Sequence, residues 1–303
     1  VWYENTRLGV KVATFDTVTN TIYSIIGTDP DRDYNGKEIL IMDLFGNVVF
    51  HKDYEQLGKR YFHHDIRRLP DGNVVFVNYV PKEFDLTAQG GEKNETVFGD
   101  GLTIMDREGN FKWEWDCFSE INPQDDPDIM GEIFGIQLRG DWIHANCVNY
   151  DKEGYFYMSF NWLNEVWKID PKSGKVIYRL GGKGGNISIP DEGYTHGLHS
   201  LKLLDNNKIL LFENGIYTHV SRALIFTVDE VNKTATLDLN VALPYDYSSP
   251  YMSSVEWVQG DKLMFGSTFG KAVVFTDMQG NILRVIQMSH QSFRADYIPV
   301  IHY

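Results

Sequence analysis

Three histidines recur at the same position of a repeated sequence pattern. His64, His144 and His199 each stand directly before a stretch typical of a pair of apolar strands, and Ser253 holds that position in a fourth copy. The last three of these positions lie 55 and 54 residues apart. If the copies pack side by side, residues in one register lie at one end of the fold, so these side chains are predicted to converge.

Converging imidazoles have two principal chemical uses. A set of three with an open position binds zinc or copper. Alternatively, one ring is a nucleophile while its neighbours hold an anionic group. A third interpretation is structural, with each histidine bonded to backbone in its own copy of the repeat, and the residues alone leave all three open.

The elements that must position these residues are strands. Two kinds of hairpin alternate, so one repeat of about 50 residues holds four strands. A lone sheet of four strands cannot bury both faces, whereas copies arranged radially bury them for one another. The sequence therefore predicts an all-β fold, a single β-propeller domain over residues 1–303. Strands are expected at residues 10–15, 39–42, 73–78, 155–160, 208–212 and 262–265.

The number of blades follows less directly. Five two-hairpin units are explicit, and six blades are expected, with the segments before residue 9 and after residue 290 closing the ring or adding to a sixth blade. An irregular insertion covers residues 116–140, within which 127–138 is predicted as a short helix or an ordered loop. A pair of all-β sandwich domains is the rival fold, but neither a linker nor a shift in composition divides the chain.

Charge and composition exclude several classes of partner. The 303 residues contain 28 Lys and Arg against 42 Asp and Glu, a net charge of −14 that repels nucleic acid and anionic membranes. An anionic substrate must therefore be held by local positive groups. No apolar run is long enough for a transmembrane helix. The chain begins at Val1 without a leader, as a processed chain does, so a secreted or periplasmic location is expected.

Two weaker patterns concern cysteines and calcium. Cys117 and Cys147 lack metal-ligand spacing and form either a disulfide or a pair of buried thiols. Asp31, Asp33 and Asn35 match the first half of a calcium-binding loop, although its twelfth position lacks the required Glu, so the alternative is an acidic turn. Apart from calcium at this loop and the metal of the first interpretation of the histidines, no cofactor is expected.

A family resemblance appears at the histidines and at several motifs that keep a consistent order to the C-terminus. The motifs are His64-Asp65 with RRLPDGN, DWIHAN at 141–146, YRLGG at 178–182, HGLH at 196–199, FENG at 212–215, SRA at 221–223 and FRA at 293–295. From about residue 38 onward the chain resembles the bacterial-type arylsulfotransferases, which do not use a nucleotide sulfate donor.

The resemblance implies a six-bladed propeller that moves a sulfuryl group from an aryl sulfate to a phenol through a sulfo-histidine. It assigns the nucleophile to His199. His64, His144 and Asn146 would hold the sulfuryl oxygens, and Ser253 is a weaker match to a small hydroxyl residue at the channel.

One position departs from the family pattern. Asn161 stands where an arginine commonly helps to hold the sulfate, and an asparagine brings hydrogen bonds but no charge. Arg222 either compensates or is a surface or interblade residue that begins a strand. The departure supports an alternative function, a non-catalytic propeller that binds or scaffolds within an extracellular assembly.

Overall fold

The structure, a computed structural model, describes residues 9–27 and 36–299. These residues form five four-stranded antiparallel sheets and one two-stranded hairpin, with short 3-10 turns and no α-helix among them. The sheets are arranged as the blades of a β-propeller, which confirms the predicted all-β fold. The described residues hold five blades, and a sixth is not among them.

The first two blades pair their strands in chain order. Blade one contains β1 (Val10–Asp16), β2 (Thr21–Ile26), β3 (Glu38–Asp43) and β4 (Val48–Lys52). Blade two contains β5 (Phe62–Arg68), β6 (Val74–Phe84), β7 (Glu95–Met105) and β8 (Phe111–Asp116). Strands β1 and β2 pack against β5, so the first strand of blade two is covered on that side.

The predicted insertion follows blade two. It contains the short hairpin of β9 (Glu132–Ile133) and β10 (Ile136–Gln137), with 3-10 turns at Cys117–Ser119, Pro123–Asp125 and Leu138–Gly140. Residues 127–138 are thus an ordered loop with a small hairpin, which decides between the two alternatives for that segment.

The remaining three blades repeat the same order. Blade three contains β11 (Ala145–Tyr150), β12 (Phe156–Phe160), β13 (Glu165–Ile169) and β14 (Val176–Gly181). Blade four contains β15 (Leu198–Leu204), β16 (Lys208–Glu213), β17 (Arg222–Asp229) and β18 (Thr234–Ala242). Blade five contains β19 (Ser254–Val258), β20 (Lys262–Ser267), β21 (Ala272–Asp277) and β22 (Ile282–Gln287).

The chain divides into two compact units. The described part of the first ends at Ala145, and the second is Asn146–Pro299. Within the second unit, β12 packs on β15, and β15 and β16 pack on β19, so apolar side chains of neighbouring blades bury one another. The single domain over 1–303 stays a prediction.

The repeated Asp at the end of a strand has a local cause. In the turn after β7, Asp106 accepts hydrogen bonds from the backbone N–H groups of Glu108 and Asn110, and the Asn110 side chain also donates to it. These bonds lower the pKa of Asp106 to about 2, those from Asn110 most strongly. Asp43 and Asp277 hold the corresponding turns of blades one and five in the same way. The turn chemistry therefore fixes where each outer hairpin bends.

Three further sequence predictions concern the cysteines, the calcium loop and the absence of a transmembrane helix. Cys117 and Cys147 are both buried free thiols, so the thiol alternative holds and the disulfide does not form. Asp31, Asp33 and Asn35 lie outside the described residues, so calcium binding there stays a prediction. Within the described ranges, no helix is long and apolar enough to cross a membrane.

Candidate active site

His199 lies in β15 with a defined ring orientation. The pairing of β15 with β16 shifts register between Leu198 and Ser200, so His199 sits at a bulge. Its Nδ1 is 2.9 Å from the backbone carbonyl oxygen of Ser253. Because a carbonyl oxygen only accepts, Nδ1 carries the proton, and in the neutral ring the lone pair is on Nε2. Nε2 is therefore the nucleophilic atom of this imidazole.

Asn146 and Asn161 hold the backbone directly before His199. Their Nδ2 atoms donate to the carbonyl oxygen of Leu198 at 2.5 Å and 2.8 Å respectively. Asn146 also accepts a hydrogen bond of 2.7 Å from the hydroxyl of Ser159. Both residues are predicted from the sequence to bind substrate. In the structure, the side-chain amide of each donates a hydrogen bond to the backbone of the strand that carries His199. Their contacts make them positioning residues for that strand.

Asn214 repeats this arrangement one blade later. It follows β16 as Asn161 follows β12, and its Nδ2 donates to the carbonyl oxygens of Ser249 at 2.8 Å and Met252 at 2.9 Å. Met252 precedes Ser253, whose carbonyl holds the His199 ring. The amide of Asn214 therefore fixes the backbone that orients the imidazole.

Ser253 contributes through its backbone. It directly precedes β19 and has a left-handed backbone with φ of 78°, which a serine adopts rarely. Its hydroxyl donates to Thr268 Oγ1 at 3.2 Å. The side chain predicted to line the channel is thus engaged with a neighbouring threonine, while the carbonyl contacts His199.

The segment after β22 packs on the same histidine. The carbonyl oxygen of Phe293 accepts a hydrogen bond of 2.9 Å from the Ser253 N–H, and the hydroxyl of Ser254 donates to the Ala295 carbonyl at 2.9 Å. These bonds place the Phe293 ring edge-on to the His199 ring, with centroids 5.2 Å apart. The FRA motif therefore supplies an aromatic wall beside the candidate nucleophile.

Arg222 has structural contacts. It begins β17 and forms an ion pair through Nε with the buried carboxylate of Glu213. Its two terminal nitrogens donate to the carbonyl oxygens of Glu192 at 3.0 Å and Tyr194 at 2.9 Å. These contacts match the interblade alternative for Arg222.

A second polar cluster lies in the first unit, around His63 and His64. The Nδ1 atoms of the two rings are 2.8 Å apart, so one ring donates to the other. His63 Nε2 lies 3.1 Å from Asp100 Oδ1, and both side chains are completely buried. The ring of Tyr79 stacks on His63 with centroids 4.0 Å apart. His64, in β5, has a left-handed backbone with φ of 58°.

His144 joins this cluster from the segment before β11. Its Nδ1 forms an ion pair with Asp141, which also accepts a 3.0 Å hydrogen bond from the Tyr79 hydroxyl. The rings of His64 and His144 lie 4.8 Å apart. Burial disfavours charge on both members of the ion pair, but their mutual attraction and hydrogen bond prevail, so the pKa of His144 is raised and that of Asp141 is lowered. His144 is thus held as an imidazolium to higher pH than an ordinary histidine.

The structure brings His64 and His144 together within the first unit, and it places His199 and Ser253 together within the second. The predicted meeting of all three imidazoles joins residues of the two units and stays a prediction. Among residues 9–27 and 36–299, no group of three or more His, Cys, Asp or Glu side chains has an arrangement that could hold a metal ion.

The first unit also contains a cavity of about 410 Å³. Its lining includes Tyr61, Tyr79, Phe98 and Trp115, with Arg60 among the polar residues. A cavity with aromatic walls and a few polar groups suits a flat aromatic ligand.

Sequence reasoning missed the residues behind the histidines. The sequence analysis assigned no role to His63, which directly precedes His64, or to Asp141, which begins the DWIHAN motif. Asp100 and Tyr79 become neighbours only through the pairing of β6 with β7, where they lie opposite each other. The doubled histidine and the Asp three residues before His144 were the available signals.

Comparisons with known proteins agree with this fold. The model of the arylsulfotransferase (ASST) family matches residues 1–296. No curated protein matches the chain. Among solved structures, a protein of unknown function from Bacteroides caccae is 12% identical with a TM-score of 0.55, covering 94% of this chain and 84% of its own.

Two further structures have comparable similarity. Hydrazine synthase from Kuenenia stuttgartiensis is 9% identical with a TM-score of 0.52, covering 97% of this chain and 91% of its own. A catalytically inactive virginiamycin B lyase from Staphylococcus aureus, crystallised with quinupristin, is 13% identical with a TM-score of 0.50, covering 95% and 72%. At these identities the similarity concerns the fold alone.

Proposed function

Because the chain belongs to the arylsulfotransferase family, we propose that it transfers a sulfuryl group from an aryl sulfate to a phenol through a sulfo-histidine at His199. The observation that carries this proposal is the hydrogen bond from His199 Nδ1 to the Ser253 carbonyl. It leaves the lone pair of the neutral ring on Nε2, as nucleophilic attack on sulfur requires.

The amide contacts around His199 support the same role. Asn161 and Asn146 fix the Leu198 carbonyl, and Asn214 fixes the backbone before Ser253. A ring anchored from both sides keeps its attacking atom in one place, which is a large part of the advantage of an enzyme over solution.

The sulfuryl oxygens need positive charge in a protein whose net charge is −14. We assign that role to His144, because the ion pair with Asp141 raises the pKa of its imidazole and so favours the charged form. An imidazolium shielded from water stabilises developing negative charge more strongly than an exposed cation does. The aromatic cavity of the first unit supports an aryl group as the organic part of the substrate.

One observation favours a second function, a non-catalytic binding or scaffold propeller. The amide of Asn161 donates to the Leu198 backbone and brings no positive charge to the position where the family commonly has arginine. A chain that kept the fold and the histidines but lost turnover would have this substitution.

A transfer assay separates the two. The protein is incubated with 4-nitrophenyl sulfate and a phenol acceptor, and released nitrophenol and sulfated acceptor are both measured. We expect transfer in the wild type, none in His199→Ala and unchanged transfer in His290→Ala, a control at an exposed histidine. Mass spectrometry of protein quenched without acceptor should find one sulfuryl group on the peptide containing His199. A folded wild type that releases no nitrophenol would support the scaffold.

We also propose that the protein acts outside the cytoplasm, secreted or periplasmic, where family members typically act. Fractionation of the source cells followed by immunoblotting tests this, and recovery in the cytoplasmic fraction would contradict it.

A further inference from the structure

The structure assigns residues 288–296, which follow β22, as a strap that positions the candidate nucleophile. The strap holds Ser253, and Ser253 fixes the tautomer and the orientation of the His199 ring. The effect on transfer rests on the proposed function, whereas the effect on the tautomer is measurable without turnover. The strap and all its contacts named below lie within the second unit.

The backbone of Ser253 joins the strap to the imidazole. Its N–H donates to the carbonyl oxygen of Phe293 at 2.9 Å, and its own carbonyl oxygen accepts from His199 Nδ1 at 2.9 Å. One residue therefore bonds to the strap on one side and to the ring on the other. The Phe293 ring also lies edge-on to the His199 ring, with centroids 5.2 Å apart.

Two hydroxyl groups form a second connection. The hydroxyl of Ser253 donates to Thr268 Oγ1 at 3.2 Å, and the hydroxyl of Thr268 donates to the carbonyl oxygen of Ser292 in the strap at 2.6 Å. The N–H of Thr268 donates back to Ser253 Oγ at 3.0 Å. Both Ser253 and Thr268 are completely buried, so this chain of hydrogen bonds is shielded from water.

The backbone conformation of Ser253 makes these bonds necessary. Its φ of 78° lies in a left-handed region that serine occupies at an energetic cost, and such a conformation persists only where surrounding bonds hold it. Without the strap the backbone relaxes, and the carbonyl oxygen leaves His199 Nδ1. A neutral imidazole that has lost this acceptor can place its proton on either nitrogen. The strap thus keeps the lone pair on Nε2.

A glycine lets the strap reach blade five. The hydroxyl of Ser254 accepts from the Ala295 N–H at 3.0 Å and donates to the Ala295 carbonyl at 2.9 Å. Gly266 lies opposite Ser254 in the pairing of β19 with β20. A Cβ at position 266 would lie 2.7 Å from the nitrogen and 2.8 Å from the Cβ of Ala295, closer than atoms pack. Gly266 is therefore a positioning residue for the strap.

An ion cluster anchors the end of the strap to the strand of the nucleophile. Lys202 lies on β15, as His199 does, and its Nζ is 3.3 Å from Asp296 Oδ1 and 2.5 Å from Glu256 Oε1. All three side chains are largely shielded from solvent, which strengthens their attraction. The strap is thus fixed to both β15 and blade five.

Histidine ¹⁵N chemical shifts test the tautomer directly. In the neutral ring of the wild type we expect His199 Nδ1 to resonate as a protonated nitrogen and Nε2 as an unprotonated one. Thr268→Val removes the connecting hydroxyl at nearly constant volume, and Gly266→Ala displaces the strap. Each should move both nitrogens toward the averaged shifts of a tautomer mixture, whereas Thr268→Ser keeps the hydroxyl and should retain the wild-type shifts.

Transfer kinetics measure the consequence for the reaction. Because a misplaced reacting group costs up to about 100-fold, kcat should fall about 10- to 100-fold in Gly266→Ala and in Thr268→Val. KM for the aryl sulfate should change by less than about 3-fold, because the strap acts through the nucleophile. Thr268→Val adds no atom to blade five and carries the test if Gly266→Ala does not fold.

A matched control removes another hydroxyl of the strap. Ser289 is exposed, and its Oγ lies 2.8 Å from Nδ1 of the neighbouring His290. Ser289→Ala should leave the His199 shifts and kcat unchanged.

The outcomes separate the strap from the proposed transfer. Wild-type His199 shifts in both Thr268→Val and Gly266→Ala would overturn the role of the strap and leave the sulfuryl transfer standing. Altered shifts in these variants of a wild type that releases no nitrophenol would support the strap and overturn the transfer.

Discussion

Two asparagines share one acceptor, and this predicts a cooperative loss of stability. The carbonyl oxygen of Leu198 accepts Nδ2 of Asn146 and of Asn161. Replacing either by alanine removes one neutral hydrogen bond, worth about 1 kcal/mol, while the other amide still satisfies the carbonyl. Replacing both leaves a buried carbonyl without these partners, which adds a desolvation penalty of about 1–3 kcal/mol. The double variant should therefore lose about 3–5 kcal/mol.

The assay is a double-mutant cycle by urea unfolding. Asn146→Ala also releases the hydroxyl of Ser159, but that contribution is present in both the single and the double variant and cancels in the coupling energy. Hydrogen exchange of a peptide spanning β15 should show the same coupling locally. Losses that add within about 0.5 kcal/mol would refute the reasoning that both amides serve one carbonyl.

The other predictions concern charge, structure and thiol reactivity. The pKa of His144 is raised, so its contribution to the free energy of unfolding is fully present below its ordinary pKa of 6.5 and is lost as pH rises through its pKa in the folded protein. The pKa of Asp141 is lowered, so its contribution is fully present above its ordinary pKa of 3.8 and is lost as pH falls through its pKa in the folded protein. The stability difference between wild type and Asp141→Asn should therefore be greatest between about pH 4 and 6.5 and shrink on both sides, as measured by urea unfolding. Arg222→Met should cost about 2–3 kcal/mol, because Glu213 loses a charged partner, while KM for the aryl sulfate changes little; a large rise in KM with unchanged stability would instead assign Arg222 to substrate. Both cysteine thiols are buried, so a thiol reagent should titrate them only after unfolding, and fast labelling of the native protein would contradict their burial.

The blade architecture could be predicted from the sequence because its signals are local. The Asp that ends one strand of each outer hairpin bonds the turn directly after it, as at Asp106 and Asp277, so a few residues determine each bend. The repeat then recurs at steps of 55 and 54 residues from His144 to Ser253, and at a step of 80 residues from His64 to His144, where the insertion lies. A sixth blade was expected from the family resemblance and is not found in the described residues.

The candidate site was only partly predictable, because its supporting contacts are distant in sequence. The register of His64, His144, His199 and Ser253 follows from the repeat, and each lies at or beside the first strand of its blade. The roles of Asn146, Asn161 and Asn214 do not follow from the repeat. Asn161 reaches Leu198 across 37 residues, and only the packing of β12 on β15 shows that its amide serves the backbone.

The backbone at these register positions gives an independent reason to place chemistry there. His64, His144 and Ser253 have φ values of 58°, 52° and 78°, a left-handed region that non-glycine residues occupy at an energetic cost. His199 instead lies at a bulge. Strained and irregular backbone clusters at functional sites, where surrounding bonds hold it in place. Beside His199 and Ser253 those bonds come from the amides of Asn146, Asn161 and Asn214, which hold the Leu198 and Met252 carbonyls next to the candidate nucleophile and its anchor.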